Sequence, residues 1–218
     1  MLELLVRYAP AFGQGLLVTA MLTGIIWSVG VIGGIALGAL ARRDMLVENA
    51  LRWASFVVGA LPILVILMWL HFPAQSLAGV VVDPFYTSAF ALSLVNLLLV
   101  GNTVGRTIAS LPKEWYLAAR TAGLTNGQAF RSITLPLAVR QLVGPITLIQ
   151  ISMLHATLFG SLISVDELFR TVQRINAIEY QPIELYTLLA LFFLLICAPL
   201  QYAANLANRR FSHDLTLR

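Results

Sequence analysis

Gly15–Arg42 reads GLLVTAMLTGIIWSVGVIGGIALGALAR, with no charge before Arg42. A helix needs about 20 consecutive, mostly apolar residues to cross the hydrocarbon core of a bilayer, where only helices and closed barrels satisfy their own backbone. The run is therefore expected to be a transmembrane helix. Gly30, Gly34 and Gly38 recur at every fourth position, which puts three bare stretches of backbone on one helix face where a second helix can approach closely. Ala39, Leu40 and Ala41 look like the small-residue end of a cleavable leader. The apolar stretch before them is too long for one, and Glu3 with a single Arg7 is a poor basic start, so the segment is read as the first span.

The rest of the chain follows the same pattern. Of its 218 residues 59% are apolar and 11% charged, and the mean hydropathy of +0.84 is far from the balance of a soluble domain. Five charge-free intervals are each long enough for one crossing: Arg7 to Arg42, Arg52 to Asp83, Asp83 to Arg106, Arg140 to Asp166 and Glu184 to Arg209. Basic residues are retained on the cytoplasmic side. Arg42, Arg43, Arg52, Arg106, Lys113, Arg120, Arg131, Arg140, Arg209, Arg210 and Arg218 fall on one side of this arrangement, and only Arg7, Arg170 and Arg174 on the other. The expected fold is an all-α polytopic membrane protein, one transmembrane domain over residues 1–218 with five transmembrane helices, the N-terminus outside and the C-terminus inside.

That distribution also explains the net charge of +4, which by itself does not point to nucleic acid. A single cysteine, Cys197, excludes an internal disulfide framework and a multi-cysteine metal site, and three scattered histidines argue against a metalloenzyme. Pro62, Pro145 and Pro199 fall in or near spans and are expected to kink them. In the fourth span Gln150, Thr157, Ser161 and Ser164 are spaced to form one polar stripe. Such a stripe serves either packing or a substrate path. Ser152 and His155 share another face, and Asn96 and Asn102 add amides to the third span.

Between the third and fourth spans lies SLPKEWYLAARTAGLTNGQAFRSITLPLAVR, Ser110–Arg140, far longer than a turn between adjacent helices requires. Two short helices are predicted. Ser110 can cap the first, with Pro112 near its first turn and Gly123 ending it. Thr125 and Gln128 form a capping-box pattern for the second, which is expected to end near Leu135 and Pro136. Both are shorter than the ~12 to 15 residues at which isolated helices become marginal, so something must pack against them. Trp115, Ala118, Ala119, Ala122, Leu124, Phe130 and Ile133 supply an apolar surface, with Arg120 and Arg131 at its edge.

This loop resembles the EAA loop of the membrane subunits of binding-protein-dependent ABC importers, through Ala118, Ala119, Gly123, Leu135 and Pro136. Leu117 stands where the family carries glutamate. Over nearly the whole chain the sequence is similar to the five-span permeases for polar amino acids, of the histidine, arginine and glutamate type. The first span and the tail LISVDELFRTVQRINAIEYQPIELYTLLALFFLLICAPL carry this likeness, with Glu167, Leu168, Gln173, Tyr186 and Pro199 in family positions. Departures are Asn102 and Gly105 where relatives place ionised residues in the third span, His155-Ala156-Thr157 where they have Lys-Asp-Thr, and VVGALPILV around Pro62, which lacks their Glu, Arg and Gly-Thr.

The resemblance implies an ABC type I importer permease-like fold with an ATPase-coupling loop at 110–140 that acts through Trp115, Leu117, Ala118, Ala119, Arg120, Gly123, Leu124 and Arg131. Its partners would be an ABC ATPase dimer holding ATP and Mg, a second, related permease chain and an extracytoplasmic solute-binding protein, in the bacterial cytoplasmic membrane. Candidates for the substrate path are Asn96, Asn102, Gln150, Ser152, His155, Thr157 and Ser161. An outer segment at 164–183, opened by a Ser164–Glu167 capping-box pattern, is either a simple re-entrant or surface connection or a docking surface for the binding protein, with Arg170, Arg174, Glu179 and Tyr180 as the docking candidates. The chain has no Walker segment and so no phosphate cradle of its own; no metal or cofactor is expected on it. The rival classes are a passive channel, for which no ring of selectivity residues is visible, and a small intramembrane enzyme, for which Ser152 with His155 is the only tempting pair.

Overall fold

The computed structural model describes residues 2–216, and the side chains of these except Lys113, Tyr116 and residues 210–216. Arg218 and the side chains of Lys113 and Arg210, counted above with the inner bases, lie outside the described residues. Every regular element among those residues is helical: α1 (Leu2–Arg7), α2 (Ala9–Ala41), α3 (Met45–Ala60), α4 (Ile63–His71), α5 (Pro73–Ala78), α6 (Pro84–Ser110), α7 (Lys113–Thr121), α8 (Asn126–Ala129), α9 (Leu135–Ala156), α10 (Leu168–Glu179) and α11 (Pro182–Thr216). A π-helical turn, Phe130–Thr134, joins α8 to α9, and a 3-10 segment, Thr157–Ile163, continues α9.

The charges that punctuate the apolar runs act as helix caps. Asp44 accepts from the Leu46 amide and Asp83 from the Phe85 amide, each at 2.8 Å, which satisfies donors that a helix start leaves free.

Four single helices are long and apolar enough to cross a membrane: Ala9–Ala41, Pro84–Ser110, Asn126–Ile163 and Pro182–Arg209. The interval expected to hold the second span is no single helix: Met45–Ala60 and Ile63–Ala78 meet at 96°, the geometry of a broken span or of a re-entrant loop, so the described residues give four spans, or five with this pair. Pro62 is the reason for the bend. It forces Leu61 into an extended conformation, φ −95° and ψ 136°, and cannot continue the hydrogen-bond ladder. The Ser55 hydroxyl ties α3 to the Leu98 carbonyl at 3.0 Å. Leu67 of α4 packs with Ala91 and Phe85. The bent pair thus runs along both halves of α6. Pro145 and Pro199, by contrast, lie inside helices that continue through them.

α2 and α6 form the centre of the bundle, side by side along the glycine face. A Cβ on Gly34 would lie 2.9 Å from the Leu97 carbonyl oxygen, and one on Gly38 would lie 2.6 Å from that of Gly101. Leu22, Ile26, Leu92, Val95 and Met153 bury their side chains around this contact.

Several local expectations are corrected. Ser110 does not cap the first loop helix; it is the last residue of α6 and donates to the Thr107 carbonyl, while Pro112 precedes α7 without a side-chain cap. The second loop helix does not end near Pro136. It runs through the π turn into α9, because that wider turn, closed by the Leu135 amide on the Phe130 carbonyl, accommodates a proline that a regular α-turn would exclude. Ser164 belongs to neither the polar stripe nor a capping box. The 3-10 segment winds with three residues per turn and turns Ser164 outward into a left-handed conformation, φ 78°. Glu167 itself caps α10. The Thr125–Gln128 capping box is fully formed, and Leu168, Val172 and Ile175 do share the buried face of α10.

The α2–α6 contact makes a direct prediction. Gly34→Leu should lower the thermal stability of the detergent-solubilised chain by about 1–3 kcal/mol, the usual cost of overpacking. Gly24→Leu, at an exposed α2 position with nothing within 4 Å, should leave the melting temperature unchanged.

Candidate functional site

Two buried side-chain amides of the bundle are bonded to one another. Asn96 of α6 donates from Nδ2 to the Gln150 Oε1 (2.9 Å) and to the Ile26 carbonyl (2.9 Å), and Gln150 of α9 returns Nε2 to the Asn96 Oδ1 at 3.0 Å. Trp27 of α2 adds its indole N–H to the Gln150 carbonyl at 3.0 Å. Asn96 lies directly on the bare backbone of Gly30, where any Cβ would collide with it. Three helices are thereby clamped by a closed amide pair, in a medium that offers no water to replace a lost partner.

The other substrate-path candidates are dispersed. Thr157 and Ser161 are buried and return their hydroxyls to the carbonyls of Leu154 and Leu158, each at 2.7 Å. Asn102 lines a cavity at the inner ends of α2, α3 and α6. Ser152 and His155 face outward from α9. They do not touch as a nucleophile and base would: the Ser152 hydroxyl donates to the Leu148 carbonyl at 3.1 Å, and the His155 Nε2 lies 3.3 Å from the Cys197 Sγ. Trp27 and Gly30 were not singled out as partners of this amide pair. The fourfold glycine spacing marked the face, but nothing local marked which polar group would enter it.

At the outer end, three of the four docking candidates are held within the chain. Asp166 accepts from the Arg170 Nε at 3.2 Å and the Arg174 Nη1 at 2.9 Å, and a second nitrogen of Arg170 reaches the Ser161 carbonyl. Tyr8 donates to Glu179 at 2.6 Å and Arg7 at 3.1 Å, which holds that carboxyl below its usual range. Tyr180, 83% exposed, ends α10 in a left-handed conformation. Glu167 is fully buried, and its two carboxylate oxygens accept from the Phe169 and Arg170 amides at 2.8 Å. Burial pushes its carboxyl up to about 7, against the opposing pull of those amides and of the Arg170 charge.

At the inner end, Trp115, Ala118, Ala119 and Leu124 line a cleft of ≈ 630 Å³ closed on its far wall by Ile133 and Pro136. Gly123 turns the chain between α7 and α8 at φ 85°, and Arg120 locks the turn by donating to the Leu124 carbonyl at 2.7 Å. Phe130 lies outside this cleft and lines a separate cavity with Leu40 and Ile108. Leu117 is absent from the cleft lining and 59% exposed. Arg131 is exposed too.

An all-helical bundle of four single spans and one bent helix pair, entered at one end by a short helix that continues into a span, matches the fold of type I ABC importer permeases. The chain belongs to the family of binding-protein-dependent transport system inner membrane components, whose family model matches residues 30–213. It is similar to the probable amino-acid ABC transporter permease protein YckA of Bacillus subtilis (strain 168), 26% identical over 213 residues, 97% of this chain and 93% of that protein. The L-cystine transport system permease protein TcyB of the same organism is 31% identical over 208 residues, 92% of this chain and 86% of its own length. In fold the chain matches the crystal structure of an amino acid ABC transporter with histidines, with a TM-score of 0.83 at 23% identity over 94% of this chain and 96% of that one.

Two outcomes are expected from this geometry. A double-mutant cycle between Asn96→Ala and Gln150→Ala, read by thermal unfolding in detergent, should give a coupling of about 0.5–2 kcal/mol, the range of interhelical hydrogen bonds in membranes; independent effects would mean that the amides do not support each other. For Glu167, whose folded value is raised, the stabilising contribution is complete below the ordinary carboxyl value and is lost as pH rises through about 7. Hydrogen-exchange protection of the first turn of α10 should therefore fall between about pH 5 and pH 8, and Glu167→Gln should flatten that dependence.

Proposed function

We propose that the chain is the transmembrane subunit of an ATP-driven importer for polar amino acids or related small solutes in the bacterial cytoplasmic membrane. A separate ATPase dimer supplies ATP, Mg and hydrolysis, and an extracytoplasmic solute-binding protein delivers the cargo. The observation that carries this reading is mechanical. α8 is the first turn of the same helical rod, Asn126–Ile163, that crosses the membrane, and α7 is folded against that rod across the Trp115–Ile133 cleft. A push on this pair at the cytoplasmic face is delivered to the bilayer-embedded part without a flexible joint, as rigid-body coupling between alternate states of a helix bundle requires.

The names of the relatives support amino acids as cargo, and the chain has no phosphate cradle of its own. The pairing of permeases is a heteromer on this reading. The chain lacks the ionised residues of its relatives in the second to fourth spans, and its buried amides Asn96 and Gln150 are already bonded to each other. Of the substrate-path candidates on α9, Ser152 and His155 face outward and would line a path against a second subunit.

Leu117→Asp and Ala118→Asp test the docking surface, since both positions are exposed, whereas Ala119 is buried and a charge there would also disturb the loop's own packing. Each variant should insert normally in the membrane and lose co-purification with the ATPase. Uptake of labelled amino acid should fall roughly tenfold or more, the effect of about 1.4 kcal/mol of lost docking. Wild-type uptake in both variants would overturn the assignment.

A further inference from the structure

Arg42, just past the end of α2, Arg52 of α3 and Arg106 of α6 come from three helices to line one cavity of ≈ 240 Å³. Among the described residues none of the three makes an ion pair. Arg52 donates to the Asn49 side chain at 2.6 Å, and the four ion pairs of the structure involve other residues. Glu48 is the one carboxylate on the cavity wall, and Asn102 adds an amide. Three guanidinium groups against one carboxylate repel one another unless an anion enters. The volume is about eight times the ~30 Å³ share of a liquid water, enough for a phosphodiester.

The level of the cavity says what kind of anion this is. Trp53 and Phe56, next to Arg52 on α3, stack edge-to-face at 5.9 Å and are 64% and 65% exposed; Met45 and Leu46, on the first turn of the same helix, are 77% and 79% exposed. An exposed tryptophan on an apolar helix face, beside a row of arginines on the charge-retaining side, is the signature of the headgroup region of the cytoplasmic leaflet. Basic pockets between helices at that level recognise anionic headgroups. We propose that this cavity binds the phosphate of an anionic phospholipid of the cytoplasmic leaflet, whose acyl chains lie along the exposed apolar face of α3. The bound phosphate joins the inner ends of α2, α3 and α6.

The test uses the full chain purified in a neutral detergent and titrated with phosphatidylglycerol or with phosphatidylcholine of the same acyl chains, with bound lipid read by native mass spectrometry. Phosphatidylglycerol should bind roughly tenfold or more tightly than phosphatidylcholine. Arg42→Gln combined with Arg106→Gln should abolish that preference, Arg42→Lys with Arg106→Lys should retain most of it, and Arg209→Gln, which removes a charge elsewhere on the same side, should leave it intact. Millimolar inorganic phosphate should fail to displace the lipid; displacement would assign the site to free phosphate instead. Equal binding of the two lipids by the unsubstituted chain, which needs no variant to fold, would overturn the proposal. So would an equal loss in Arg209→Gln. Absence of the phosphatidylglycerol adduct from the transporter isolated with its ATPase would overturn it too, because acidic protein surface would then be covering the arginines.

Discussion

The close approach of α2 and α6 sets the position of every other helix. Inside a bilayer, lipid tails are as apolar as leucine, so helices gain nothing by merely hiding greasy surface from one another; they associate through tight packing and hydrogen bonds. Gly34 and Gly38 bring the two backbones into contact, and Gly30 leaves the space that Asn96 fills. From there the amide pair reaches α9 through Gln150, and Trp27 fastens the same α9 turn to α2. Leu51 of α3 packs on Gly101, and the outer helix α10 rests on Gly15 through Leu168 and Thr171. A side chain at Gly15, Gly30, Gly34 or Gly38 would displace a neighbour on another helix.

The rod that leaves this centre departs from regular α-helix at both ends. At the cytoplasmic end the π turn Phe130–Thr134 widens the helix next to Pro136; at the outer end the 3-10 segment Thr157–Ile163 tightens it. A proline next to a regular turn would break the ladder and free carbonyls that the membrane interface satisfies poorly. Widening the turn keeps the helix continuous from the aqueous loop into the bilayer. The overwound end buries Thr157 and Ser161 and brings the chain to Glu167, whose carboxylate starts α10. The segment is thus continuous at its cytoplasmic end and turns sharply at its outer end.

What was legible in the sequence was whatever depends on composition and local chemistry: the five apolar intervals, the glycine face, the Thr125–Gln128 capping box, the αL position of Gly123 and the apolar face of α10. What was not legible depends on partners distant in the chain. Pro136 signals a helix end by local rules, and only the π turn next to it cancels that signal. Gln150 and Asn96 lie 54 residues apart, so their spacing carries no trace of the pair they form. The polar stripe assumes an α-helical period and breaks at Ser164, because the chain winds as 3-10 helix from Thr157 to Ile163. The departures from the family at Leu117 and His155 were visible as letters; that one is exposed on the loop and the other lies beside Cys197 emerged only from the fold.

The charges divide by side in a way that bears on all the partners. On the topology set by the basic residues, the outer side has six acidic groups to three basic ones, and the inner side four to eleven. Outside, these charges are largely used within the chain: Asp83 and Glu167 cap helices, Asp166 holds two arginines, and Glu179 holds Arg7 and Tyr8. A surface whose ions are mutually neutralised meets a soluble partner with little long-range attraction, which suits an encounter that must be reversed in each cycle. Inside, Asp44 is consumed as a cap, and the surplus of arginines finds no carboxylate to pair with among the described residues. Its counter-charges come from outside the described residues, and lipid phosphate is one source at the level of the membrane's inner face. Arg42, Arg52 and Arg106 converge on one cavity at the inner ends of α2, α3 and α6, at the level where lipid phosphate is within reach, whereas Arg120 and Arg131 stand on the exposed cytoplasmic loop.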